Sequence, residues 1–107
     1  MLIYCMNLQK WVVLKMPKIF TVGDFMVYFW THESTEPIHV HISKGKPSGD
    51  STKIWLTSKG GCMVANNKSR IPLHKLNYLL RIIEAQHEEI CKEWKKLFGV
   101  SRIKFYC

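Results

Sequence analysis

Acidic residues are scarce. Eight Asp and Glu face sixteen Lys and Arg, which gives a formal charge of +8 and a sequence pI near 9.5. Such a balance excludes an acidic solvating chain and attracts polyanions: nucleic acid first, an acidic partner protein second, an anionic membrane surface third. Its plainer use is solubility. Long apolar runs are lacking as well, and none approaches the roughly 20 residues that a membrane span needs. No Cys-x-x-Cys pair occurs among Cys5, Cys62, Cys91 and Cys107, so a zinc knuckle or a thioredoxin-type motif is not indicated. A secretory signal is missing, because no charged n-region precedes an apolar segment of sufficient length. Unpaired thiols and no export signal predict a reducing, cytoplasmic setting. The Gly-x-x-x-x-Gly-Lys-Ser/Thr order of a phosphate loop is absent; the stretch Lys44-Gly-Lys-Pro-Ser-Gly-Asp-Ser51 lacks both that order and a following helix.

What is present fits one globular domain. With 107 residues, 47% of them hydrophobic and 22% charged, the chain can build one modest core and no second one. Residues 1–15 carry no glycine, proline or acid, and Met16-Pro17-Lys18 reads as a natural start. The expected division is therefore a leader over 1–15, with Met1 or Met16 as initiator, and a single α+β domain over 16–107. The charge is local: Lys44, Lys46, Lys53, Lys59, Lys68, Arg70 and Lys75 share their segment with one acid, Asp50.

Alternation predicts strands at 18–22, 25–31, 38–43, 52–57 and 62–65. Gly23-Asp24 joins the first two as a tight hairpin turn, with glycine supplying a positive φ. The strand at 25–31 is apolar on both faces and so should be covered on both. In the next strand Ile38, Val40 and Ile42 share one face, while His39, His41 and Ser43 share the other. After Pro72, the residues Leu73, Leu76, Leu80, Ile83, His87, Ile90, Trp94 and Leu97 recur at steps of three and four. That stripe predicts one long amphipathic helix, with Gly99 at its C-cap and Lys95 and Lys96 near the negative end of its dipole. Such a helix is roughly 38 Å long and overhangs strands of about 20 Å. The tail, with Val100, Ile103 and Phe105, or a second chain, should cover the overhang. The expected architecture is an antiparallel meander of four or five short strands followed by one long C-terminal helix, packed on the Ile38/Val40/Ile42 face.

Three constellations carry candidate chemistry. His39-x-His41 places two imidazoles on one strand face about 7 Å apart. They could ligate a zinc ion, with His32, Glu36 or Asp50 as a third ligand. They could act as acid and base in phosphodiester cleavage, with Lys44 or Lys46 holding the phosphate. They could also be half-exposed strand histidines that pack on Trp55. His87, inside the apolar stripe, reads as a buried histidine with one good hydrogen bond, and Trp94 as a core anchor on the same helix. Tyr28, Trp30 and Trp55, flanked by Lys44, Lys46, Lys53 and Lys59, form either a stacking platform for single-stranded nucleic acid or core.

The segments Met16-Pro17-Lys18-Ile19-Phe20, Phe29-Trp30-Thr31-His32-Glu33, Glu36-Pro37-Ile38-His39-Val40-His41 and Lys53-Ile54-Trp55-Leu56 resemble the domain of unknown function 4160 family. The helix segments Ile83-Glu84-Ala85-Gln86-His87-Glu88-Glu89-Ile90 and Trp94-Lys95-Lys96-Leu97-Phe98 match its ending. The likeness extends over about residues 16–98 and departs at Ile38, where the family usually has a second proline. The resemblance implies a small prokaryotic protein akin to components of toxin–antitoxin modules, with the family's motif histidines falling on His39, His41 and His87. It implies no settled reaction. The leading expectation is a cytoplasmic protein that binds a small partner protein, and RNA or DNA, through a basic His/aromatic sheet face using Lys44, Lys46, Lys53, Trp55 and Lys59. No cofactor and no membrane are expected, and a homodimer is left open. The alternative is a small nuclease or metal-dependent hydrolase using His39 and His41, with zinc as its cofactor.

Overall fold

The structure, a computed structural model, describes residues 18–30 and 35–107. The leader at 1–15 and His32 lie outside the described residues. Five strands, β1 (Lys18–Val22), β2 (Phe25–Tyr28), β3 (His39–Lys44), β4 (Thr52–Leu56) and β5 (Cys62–Asn67), precede helices α1 (Leu73–Ala85) and α2 (His87–Phe98). The sheet is an antiparallel meander in sequence order. The turn between β1 and β2 uses Gly23 at φ 57°, a conformation that costs glycine little and other residues more.

Strand alternation sorts the side chains into two faces. Val27, Phe29, Ile38, Val40, Ile42, Ile54 and Leu56 lie on one and join Leu76, Leu79, Ile83, Ile90 and Trp94 from the helices in one buried core. The helices thus cover the face that carries Ile38, Val40 and Ile42.

The single long helix is corrected to two. The chain leaves helical geometry at Gln86 (φ −100°, ψ 11°), whose N–H is shared between the carbonyls of Ile82 and Ile83. No glycine or proline marks the break. Its partner is tertiary: Nε2–H of His87, the first residue of α2, donates to the Thr57 carbonyl at 2.7 Å. Both helices nonetheless contribute to the one core, Leu76, Leu79 and Ile83 from α1 and Ile90 and Trp94 from α2. Gly99, at φ 64°, closes α2.

The C-terminal tail runs back along the sheet. Ile38 N–H donates to the Lys104 carbonyl (2.9 Å) and Ser58 N–H to that of Cys107 (2.8 Å). Phe105 stacks on His87 with 9° between ring planes, and Ile103 and Phe105 pack against the core. Among the described residues, no helix is long and apolar enough to cross a membrane.

Candidate functional site: the histidine face and the cationic end of the sheet

On the face away from the helices, strand register lines up two rows. Tyr28, His41, Lys53 and Asn66 stand side by side across β2 to β5, and His39, Trp55 and Met63 across β3 to β5. The two imidazoles meet edge to face with 5.0 Å between ring centroids.

Their surroundings differ from the half-exposed setting expected of them. His39 is 1% and His41 6% exposed. His39 packs edge-on against Trp55 and against Trp94 of α2, and its Nδ1–H donates to the Pro37 carbonyl at 2.8 Å. His41 stacks on Tyr28 and meets Trp30 edge-on. Its Nδ1 shares a hydrogen bond of 2.9 Å with Ser51 Oγ. Trp94 also meets Phe29, so it closes one end of the sheet by touching residues from both faces.

Of the two readings of the aromatic set, stacking platform or core, Tyr28 takes the second. Tyr28 is fully buried, its hydroxyl bonded to Ser43 Oγ at 2.8 Å and to the backbone of Ser48. This clasp holds the β3–β4 loop against the histidine face. Trp55 is half-buried beneath Tyr106.

Of the expected third metal ligands, His32 lies outside the described residues, and neither Glu36 nor Asp50 is grouped with the histidine pair. Glu36 accepts a hydrogen bond from Lys53 Nζ at 2.6 Å, and Asp50 is exposed in its loop. Among the described residues, no three His, Cys, Asp or Glu side chains are grouped as metal ligands.

These cations separate into three places. Lys44, the β3–β4 loop with Lys46, the β5–α1 turn with Lys68 and Arg70, and Lys75 in the first turn of α1 all lie at one end of the sheet, all exposed. Lys44 and Lys75 line a common pocket of about 420 Å³ with Asp24, Phe25 and Tyr78. Lys59 sits in the β4–β5 turn at the opposite end. Lys53 lies on the histidine face, between the Glu36 carboxylate and the Trp55 ring, 4.3 Å from that ring's centroid.

Sequence reasoning did not single out Ser51, Asn66 or Lys68 as neighbours of His41. Together with Trp30, Gly49 and Lys53 they line a polar pocket of about 260 Å³ beside that imidazole. Pairing the alternating segments into register would have placed Lys53 beside His41, but Asn66 joins the row only through the irregularity in the β4–β5 register between Lys53 and Ile54.

Cys107 Sγ reaches Met63 Sδ on this face at 3.6 Å, while the Cys62 and Cys91 thiols lie apart from it. Burial, reinforced by Glu84, pushes the Cys62 thiol up to about 11, and burial raises that of Cys91.

The family described as Domain of unknown function (DUF4160) matches residues 24–95. The chain belongs to this family. The matched span takes in β2 to β5, α1 and most of α2, and with them both histidine rows and the Trp94 closure. No curated protein and no solved structure matches the chain. The family carries no assigned activity in its description, so the chemistry must be argued from the side chains themselves.

Proposed function

We propose that this member of the DUF4160 family is a cytoplasmic binding module of a toxin–antitoxin-like pair, which engages RNA or DNA beside a small partner protein through the cationic end of its sheet. One observation carries the reading: Lys44, Lys46, Lys68, Arg70 and Lys75, spread over 32 positions of sequence, converge on one exposed end, with Asp24 and Asp50 as the acids near them. The spacing of these cations over three loops suits a flexible phosphate backbone better than a single small anion. The histidine pair, packed among aromatic rings, holds the loops in place and is not itself the reading surface. Retention of the full chain on single-stranded RNA tests the reading. Four to six phosphate contacts give a log–log salt slope of about −3 to −5. No retention at low salt would sink the nucleic-acid reading and leave the acidic partner protein.

A second reading, a phosphodiester hydrolase, draws support from the hydrogen bond of His41 to Ser51 in a pocket with two lysines. It requires RNA or DNA cleavage that His41→Ala removes while the variant stays folded.

A further inference from the structure

The pocket beside His41 differs in kind from the exposed end of the sheet. Its polar lining consists of His41, Ser51, Lys53, Asn66 and Lys68, with Trp30 and Gly49 completing the wall, and among the described residues no carboxylate belongs to that lining. A polar recess with two ammonium groups, one of them partly neutralised by Glu36 and the other, Lys68, exposed, favours an anionic occupant. We infer that this pocket seats a phosphoryl group. The inference rests on the polyanion reading for its ligand class and adds a defined seat to it.

Lys53, Asn66 and Ser51 each have a donor to give. Lys53 offers three N–H groups and commits one to Glu36 at 2.6 Å. Asn66 supplies an amide, and its Oδ1 accepts from the Lys68 N–H at 3.2 Å. That bond leaves the Asn66 NH₂ to a ligand and holds the turn that carries Lys68. Ser51 is 6% exposed and shares its hydrogen bond with His41 Nδ1. With Nδ1 as donor, the serine O–H is left to point at the anion. The seat is held from below by the register His41, Lys53, Asn66 across three strands, and rigid elements position a site better than loops do. A phosphoryl group can arrive as the end of a nucleotide chain or as part of its backbone, and the chemistry of the seat is the same for both.

The test is a titration of the full chain, ¹⁵N-labelled, with inorganic phosphate. Amide shifts should concentrate at Gly49, Ser51, Lys53, Asn66 and Lys68. Lys68→Glu, at an exposed position, should weaken phosphate binding at least tenfold with an unchanged melting curve, and Asn66→Asp should do the same by adding a like charge. Phosphate that moves none of these amides, or a folded Lys68→Glu that binds as well as the parent, would overturn the assignment. RNA of one sequence with a 5′-phosphate or a 5′-hydroxyl separates the sources: at least fivefold preference for the phosphorylated strand means a terminal phosphate, and equal binding lost together in Lys68→Glu means the backbone. RNA binding untouched by Asn66→Asp, a change confined to the pocket, would refute the seat while the polyanion reading stands. Phosphate shifts without RNA retention would refute that reading while the seat stands.

Discussion

The Trp55 indole and the Tyr106 ring lie parallel, with 5.0 Å between centroids and 4° between planes. This contact joins the middle of the sheet to the second-last residue of the chain. Around it, the Lys104 and Cys107 carbonyls accept hydrogen bonds from Ile38 and Ser58. The tail is therefore part of the fold: it packs Ile103 and Phe105 against the core and Tyr106 on Trp55.

Removing residues 104–107 should destabilise the protein by about 2–4 kcal/mol, since it orphans a buried N–H at Ile38 and removes aromatic stacking. For a domain this size that is a fall in Tm of about 10 °C or more. The single change Tyr106→Ala should cost about 1 kcal/mol and shift Trp55 fluorescence. A tail-deleted chain that melts with the parent would show the tail to be ornament.

The strands were legible from alternation because one face is apolar and the other mixed; a one-residue slip at Val40 would have put His39 and His41 into the core. The break at Gln86 was not legible. The three-four stripe runs through it unbroken, and the contact found beside it, the hydrogen bond of His87 to Thr57, joins residues 30 positions apart. The pair His39 and His41 was legible as a shared face. Its burial was not, because it depends on Trp55, Trp94 and Tyr28 arriving from three other elements. The seat with Ser51, Asn66 and Lys68 needed register, which alternation alone does not supply.

His39→Ala should now be costly, about 2–3 kcal/mol, because it empties a volume walled by two indoles and leaves the Pro37 carbonyl without its donor. Lys59→Ala, on an exposed turn, should stay within about 0.5 kcal/mol. Urea midpoints of the two variants decide the point, and equal midpoints would mean that the histidine face is not tightly packed.

Charge reversal should separate the two groups of cations. Lys44→Glu with Lys46→Glu should weaken RNA binding by 10²-fold or more at low salt, since about two phosphate contacts are lost and two repulsions gained. Lys59→Glu, at the far end of the sheet, should lose less than about threefold through net charge alone. Equal losses would mean that binding tracks total charge and that no one surface carries it.

Cys62 makes stability depend on pH at the alkaline end. Burial pushes its folded-state value up to about 11, above the ordinary thiol value of 9.0, so between these the native state holds a proton that the unfolded chain releases. The contribution is complete below about pH 9 and is lost as pH rises through 11. Cys62→Ala should flatten the fall in urea midpoint over that window relative to the parent. Thiol labelling at pH 8 should modify the exposed Cys107 before Cys62. Parallel curves for parent and variant would remove Cys62 as the cause.

Arg70 occupies the left-handed region at φ 57°, the one described non-glycine residue to do so. Its N–H donates to the Asn67 carbonyl at 3.0 Å, and the turn that results brings the chain from β5 into α1. A left-handed conformation costs a side chain with a Cβ roughly 1–2 kcal/mol, and glycine far less. Backbone strain of this kind points to a use for the side chain, and here the side chain is an exposed cation beside Lys68 and above the first turn of α1. Arg70→Gly should therefore stabilise the protein by up to about 1 kcal/mol, part of the relief being offset by the greater freedom of glycine in the unfolded chain. The same change should weaken RNA binding about three- to tenfold and lower the salt slope by about 0.7–0.9, the share of one phosphate contact. Arg70→Lys should keep most of the affinity and all of the strain. Gain of stability with loss of affinity would place Arg70 in the binding surface at a folding cost; gain of stability with unchanged affinity would leave the strained residue outside it.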